Sequence, residues 1–413
     1  MEQNKPTCPM SMAMPETMVC PFPTYDAIRE EKAIYQDPLT KFYVVTRYAD
    51  IRAIADDPQT FSNRTGQLGS RSAELNQKIS ALFKAEGFEH LDTLVTNDQP
   101  SHTRYRSLVD KAFNALRVRA AEETILSVTN SLIEAFPQGP FDFVKAFSIP
   151  LPIRMIAEQL GVPPERGSDF KRWSDALLEQ ANQGLNEEQL IDVAKRVIEM
   201  QQFFAGMIRE ARKTPTETLL SDLANMQLDG ELMSERELVS ILQQLLVAGN
   251  ETTTNAITAA ILRLAEDPAL QSELRANPQL IRNYCEEVLR LDAPLQGLFR
   301  IATQDTQVGE TPIPKGTVLD LRWGAGNRDP QQYQDAEKVD VNRKAATQHL
   351  AFGHGIHFCI GNQLARAEMR TALTRILAQS TSIRLVEGND SIVRQTHFIA
   401  YGIRQLMVEI TKA

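Results

Sequence analysis

The residue on which chemistry can turn is Cys359. It sits in Phe352-Gly-His-Gly-Ile-His-Phe-Cys-Ile-Gly361, where two glycines before the cysteine and one after it permit a tight, backbone-rich loop. The apolar positions of Asn362–Gln379 recur every three and four residues, so a helix starts directly after the loop. Cys359 thus precedes a helix N-terminus, where free amides and the helix dipole favour a thiolate. Three uses fit such a cysteine. It can be a buried free thiol in a Gly-rich turn, as free cysteines often are. It can join His349, His354 and His357 in a zinc site, although the spacing is no zinc ladder and glycines separate the histidines. It can hold a haem iron as an axial thiolate.

A second cluster lies in Leu245-Leu-Val-Ala-Gly-Asn-Glu-Thr-Thr-Thr254. A glycine, an acid and three threonines are poor choices for a helix interior. Yet they fall in the middle of the longest helical pattern, Ser234–Glu266, and a point where a long helix breaks its local rules is a candidate site. That helix opens with Ser234-Glu-Arg-Glu237, a capping-box pattern, and stops at Asp267-Pro268. At 1.5 Å per residue it runs roughly 50 Å, the width of a molecule. Glu287 and Arg290, spaced i, i+3 on another helical stretch, can pair on one face.

Helical periodicity also marks Thr24–Tyr35, Ser101–Leu116, Arg119–Phe136, Glu187–Lys213 and Pro278–Leu291. Short alternating runs at Lys41–Thr46, Gln307–Leu321 and Gln405–Ile410 read as strands. The expected fold class is mainly α with a small β component. The chain has 413 residues, a prior for two or three domains, but no repeat, linker or low-complexity tract divides it. We expect one large helix-rich domain over 24–413, behind a poorly ordered extension at 1–23.

With 44 basic and 53 acidic side chains the net charge is −9, which argues against a general nucleic-acid or anionic-membrane partner. Cys8, Cys20, Cys285 and Cys359 form no CxxC pair, so a reducing compartment is expected. No run approaches the ~18 apolar residues of a membrane helix, and Pro9, Pro15 and Glu16 interrupt any signal-peptide core. The chain reads as a soluble cytoplasmic protein.

Between the three uses of Cys359, resemblance decides. The loop resembles the haem-binding signature of the cytochrome P450 family, Phe-Gly-x-Gly-x-His-x-Cys-x-Gly, at every specified position. Other blocks follow in family order. Glu287-Val-Leu-Arg290 is similar to the family's structural Glu-x-x-Arg, which locks to the meander before the cysteine loop; Asn327-Arg-Asp-Pro330 and Arg343 resemble that meander. Ala248-Gly-Asn-Glu-Thr252 is similar to the family's central-helix acid–alcohol pair. His102 and Arg106, with Arg300 and His357, match the partners of the haem propionates, and Arg in particular offers carboxylates a bidentate fork. The match spans Thr24 to the C-terminus and is weakest at Asn63–Gln99.

The resemblance implies a P450 fold around haem b (iron protoporphyrin IX), with dioxygen as co-substrate. Cys359 would be the axial ligand, and His102, Arg106, Ala248, Arg300, Phe352, His357 and Gly361 would hold the haem. Thr252 would position oxygen and water while Glu251 relays protons. The expected activity is mono-oxygenation of a small to medium-sized apolar compound, with Gln244, Val247, Ala248, Leu295 and Phe398 lining its pocket. Alternatives are a haem peroxygenase using hydrogen peroxide, which in the wider family lacks the acid–alcohol pair, and a non-catalytic haem sensor. A ferredoxin or flavodoxin is the implied electron donor, with Lys111, Arg117, Arg343, Lys344, Arg366 and Arg370 as its candidate docking cations. A monomer without nucleic-acid or membrane partner is expected.

Overall fold

The computed structural model describes residues 10–65, 72–180, 185–228, 230–388 and 390–413. Cys8, residues 1–9 of the expected extension and residues 66–71 of the weakly matched stretch lie outside these. From Met10 on, the extension is packed rather than loose. Asp37 accepts from the Ser11 hydroxyl at 2.9 Å and from the Met12 amide at 2.7 Å, and the Met12 side chain is 2% exposed. A buried carboxylate so bonded recovers what it loses in leaving water, which is why this segment is ordered.

The central helix runs Glu235–Glu266. Its capping box forms as expected: Glu237 N–H donates to Ser234 Oγ and Ser234 N–H donates to the Glu237 carboxylate. Around it pack Pro150–Leu160, Gly167–Glu179, Glu187–Lys213 and Asn362–Ala378. Glu187–Lys213 has the bounds the periodicity gave. Ser101–Leu116 does not: the helix ends at Ala112, and Asn114 caps a new one, Ala115–Glu134, through the amides of Leu116 and Arg117. An Asn side chain that captures free amides starts a helix where periodicity alone reads continuation. Tyr35, expected in the first helix, is instead in a strand, because that helix closes at Glu31.

Beside two-stranded pairings of Gln227–Leu228 with Glu231–Leu232 and of Thr306–Val308 with Thr311–Ile313, two larger sheets flank the helices. One orders Ile34–Gln36, Tyr43–Val45, Val318–Leu321, Leu298–Ala302 and Phe61–Ser62, antiparallel except where Tyr43–Val45 meets Val318–Leu321. The other pairs Ile403–Lys412 with Ser380–Leu385, Ile392–Arg394 and Phe141–Asp142. Among the described residues, no helix is long and apolar enough to cross a membrane.

Candidate active site

The cysteine loop turns on Gly353 and Gly355, with φ of +71° and +73°. At Gly355 a Cβ would lie 2.4 Å from the Ala55 carbonyl oxygen, so only glycine allows this approach. Cys359 N–H donates to Phe352 O at 2.9 Å and closes the loop. Gly361 then caps Asn362–Ala378, and Asn362 Nδ2 donates to Cys359 O at 2.7 Å. Burial pushes the Cys359 thiol up, while the Gly361 amide, Arg106, Arg366 and the Asn362 amide pull the other way. The helix terminus alone therefore does not make the thiolate; burial outweighs it, and a bound metal cation would reverse that balance.

Behind the loop is a network that periodicity only half reveals. Arg290 donates to both Glu287 oxygens at 2.7 and 2.9 Å and to the carbonyls of Asn327, Ala336 and Lys338. Arg343 and the Asp340 amide complete the Glu287 carboxylate at 3.0 and 2.9 Å. Glu287 and Arg290 are fully buried. The neighbouring Glu286 is held from two sides. It bonds His349 Nε2 at 3.1 Å and takes a fork from Arg366 at 2.8 and 3.0 Å. Burial would raise its carboxyl, but His349 and Arg366 outweigh that and hold it at about 2. Glu286 thus ties the cysteine helix to the segment that enters the loop at His349. Periodicity does not single it out, although two adjacent acids on a buried helix are the available signal.

These pairings dissolve the zinc alternative. His349 belongs to Glu286, His354 to Asp56, and His357 packs against His102 with tilted rings, centroids 4.2 Å apart. Among the described residues no three His, Cys, Asp or Glu side chains converge as a metal site. They also bear on the expected docking cations. Arg343 and Arg366 are bound inward to Glu287 and Glu286, and Arg117 is bound to Asp222 and the Ala112 carbonyl. Arg370 stands 3.8 Å from Glu122, whereas Lys111 and Lys344 are exposed.

His102, Arg106, Arg300 and His357 come together as a cluster of two guanidiniums and two imidazoles. Burial, with the charges of His102, Arg300 and Arg106, holds His357 down to about 3. Burial lowers Arg300 to about 10, opposed by Asp98. His102 is likewise lowered, first by burial and then by Arg106. His102 Nδ1 and His357 Nε2 are buried without a partner, and Arg300 donates to the neighbouring Phe299 carbonyl. Arg106 spans to the cysteine loop through the Phe358 carbonyl at 2.7 Å. Two guanidiniums beside buried imidazole nitrogens without a partner fit a doubly anionic group such as the two haem propionates.

On the central helix, Ala248 is exposed and Glu251 and Thr252 are half-buried, although both flanks of the helix are buried. Thr252 Oγ1 donates to Ala248 O at 2.6 Å, and Glu251 Oε1 accepts from Gln395 Nε2 at 2.9 Å. Phe398 stacks on Phe299, with centroids 6.0 Å apart, and is pinned by Arg322, which packs over the ring and donates to its carbonyl. Leu295 bridges Ala400 beside it. Val247 is half-buried next to Ala248. Gln244 does not join this group as a free amide. Its Nε2 donates to Thr93 Oγ1 and its Oε1 accepts from Val95 N. The helix face shared with Thr252 carries it to the 91–95 segment, where the Thr93 hydroxyl and the Val95 amide claim it.

The Gly-rich cysteine loop lies beside a cradle of two arginines and two histidines that suits an anionic group, and the central helix carries an acid–alcohol turn. Residues 168–390 match the family model described as Cytochrome P450. The chain is 34% identical over 398 residues to the putative cytochrome P450 YjiB of Bacillus subtilis (strain 168), covering 94% of each. It is 31% identical over 399 residues to the vitamin D(3) 25-hydroxylase of Pseudonocardia autotrophica, covering 94% of this chain and 93% of that one. The structure of cytochrome P450 CREJ in complex with (4-ethylphenyl) dihydrogen phosphate is similar with a TM-score of 0.89 at 30% identity, covering 98% and 99% of the two chains. The chain belongs to the cytochrome P450 family, as a haem-dependent monooxygenase.

Proposed function

We propose that this P450 inserts one atom of dioxygen into a small to medium-sized, largely apolar organic compound, with electrons from a separate ferredoxin or flavodoxin. The observation that carries the reading is that Glu251 and Thr252 are neighbours on a half-buried turn of the central helix, next to exposed Ala248. Haem b, when bound, supplies the oxygen-activating chemistry. Cys359 would hold its iron, Phe352 and Gly361 would flank that thiolate, and His102, Arg106, Arg300 and His357 would hold its propionates. Because Thr252 spends its hydroxyl hydrogen on Ala248 O, its remaining lone pairs accept. Thr252 therefore holds a water, and Glu251 passes protons to that water from outside.

Phe299, Phe398, Leu295 and Val247 favour an apolar substrate body, in keeping with the named substrate of the Pseudonocardia relative. An acidic donor would meet Lys111 and Lys344 on the side of Phe358, which is 38% exposed next to Cys359. Hydrogen peroxide brings its own two protons, whereas dioxygen draws two from solvent, so the acid–alcohol pair favours the dioxygen cycle.

A screen by haem spin-state shift, followed by turnover, tests the proposal. Dioxygen with a ferredoxin system should give product, and Thr252→Ala should uncouple oxygen use from product severalfold. Equal coupling in Thr252→Ala refutes the relay, and turnover with peroxide alone favours the peroxygenase. Cys359→Ser should lose the red-shifted band of the reduced carbonyl complex; a retained band refutes the ligand.

A further inference from the structure

The Glu251 carboxylate is held from outside the central helix. Its partner, Gln395, opens the turn that joins Ile392–Arg394 to Ile403–Lys412. Gln395 N–H donates to Gly402 O at 3.0 Å across that turn. The turn can approach the helix because Gly402 carries no side chain: a Cβ there would stand 2.2 Å from Asn255 Oδ1. Asn255 lies four residues after Glu251, so the two share one helix edge, and the hairpin seats along it.

The same turn carries Phe398, proposed above as a wall of the substrate pocket. Phe398 stacks on Phe299, and Ala400 bridges Leu295. Between Gln395 and Phe398 stands His397, whose Nδ1 accepts from the amides of Ile399 and Ala400 at 3.2 and 3.0 Å. Its proton is therefore on Nε2. Burial lowers His397, with Glu251 opposing and Arg404 reinforcing, so a neutral imidazole stands in the field of the relay carboxylate.

The geometry points to Gln395 as a positioning residue: its amide fixes Glu251 to the hairpin that walls the pocket, so that filling the pocket at Phe398 and proton entry at Glu251 are coupled. This rests on the reading of Glu251 as the relay carboxylate. One amide–carboxylate bond between half-buried groups contributes little to folding. What it sets is orientation, which a proton path depends on. The coupling is also reciprocal, because a link that lets the pocket act on Glu251 lets Glu251 act on the pocket.

Two measurements on the haem-loaded protein test it. In the first, bound clotrimazole (ligation read from the Soret shift) fills the pocket while amide exchange is followed by mass spectrometry. Occupancy should slow exchange in 248–255 at least threefold in the wild type and leave it unchanged in Gln395→Leu, which keeps the bulk and loses the donor. Equal slowing in both, or none in either, overturns the coupling whatever the role of Glu251. In the second, ferredoxin-driven oxygen consumption without added substrate is divided between two-electron reduction to hydrogen peroxide and four-electron reduction to water. Gln395→Leu should raise the peroxide share at least twofold, Gln395→Lys should restore it by returning a donor, and Gln395→Leu combined with Glu251→Ala should match Glu251→Ala alone. A wild-type share in Gln395→Leu beside a raised share in Glu251→Ala overturns the positioning role only. An unchanged share in Glu251→Ala overturns the relay reading itself.

Discussion

Replacing Glu287 by Gln keeps the shape of the side chain and removes one charge from beneath the cysteine loop. In the wild type that carboxylate faces Arg290, which is fully buried, and Arg343, which is 9% exposed. It also accepts the Asp340 amide. The variant leaves two guanidiniums without a counter-charge, and Gln turns an acceptor into a donor against them. Breaking a buried pair from one side costs about 3–5 kcal/mol. Unfolding entropy is about 2.1 cal/mol/K per residue, so for a chain of 413 residues each kcal/mol lowers the midpoint by roughly 1 °C. The expected fall is about 3–6 °C, followed by far-UV circular dichroism. The carbonyls of Asn327, Ala336 and Lys338 that Arg290 gathers belong to the segment feeding the loop. Haem loading, read from the reduced carbonyl spectrum, should therefore fall with the midpoint. A midpoint within about 1 °C of wild type with full haem loading would refute the lock.

Three further outcomes are expected. Glu368, on the cysteine helix, is fully buried, Oε2 has no partner, and burial pushes its carboxyl up to about 8. Between the unfolded value near 4.5 and about 8 the folded state holds a proton that the unfolded state has lost, so stability falls as pH rises, by at most about 1.4 kcal/mol per unit. Glu368→Met should flatten that fall in urea titrations from pH 5 to 8, and parallel curves for the two proteins would contradict it. Charge reversal of Lys111 and Lys344 together should slow association with an acidic ferredoxin several-fold and flatten its salt dependence at an unchanged melting midpoint. Arg366→Ala, in contrast, should lower the midpoint, because it strips Glu286 of its fork; the reverse pattern would show that Arg366 is the docking cation.

Much of the architecture follows from local rules. The capping boxes at Ser234 and Asn186 set where two long helices begin, because a side chain that satisfies free amides needs no distant partner. The strands are harder to read. Gln307–Leu321 resolves into Thr306–Val308, Thr311–Ile313 and Val318–Leu321. Leu298–Ala302 carries no clean alternation because Arg300 turns inward toward His357. The packing of Met10–Val19 depends on Asp37, a contact no local pattern announces.

The sequence by itself determined which residues can do the chemistry. Cys359 between glycines, Glu251 beside Thr252, and Glu287 three residues from Arg290 are local patterns, set by spacing along one loop or one helix. Tertiary structure alone decided which partner each charge takes. It turned Arg117, Arg343 and Arg366 inward, gave Gln244 to the 91–95 segment, and brought Gln395 from 144 residues away onto Glu251. The physical reason is that a charge or an amide bonds whatever donor or acceptor lies within about 3 Å when water is excluded. Distance along the chain says nothing about which group that will be.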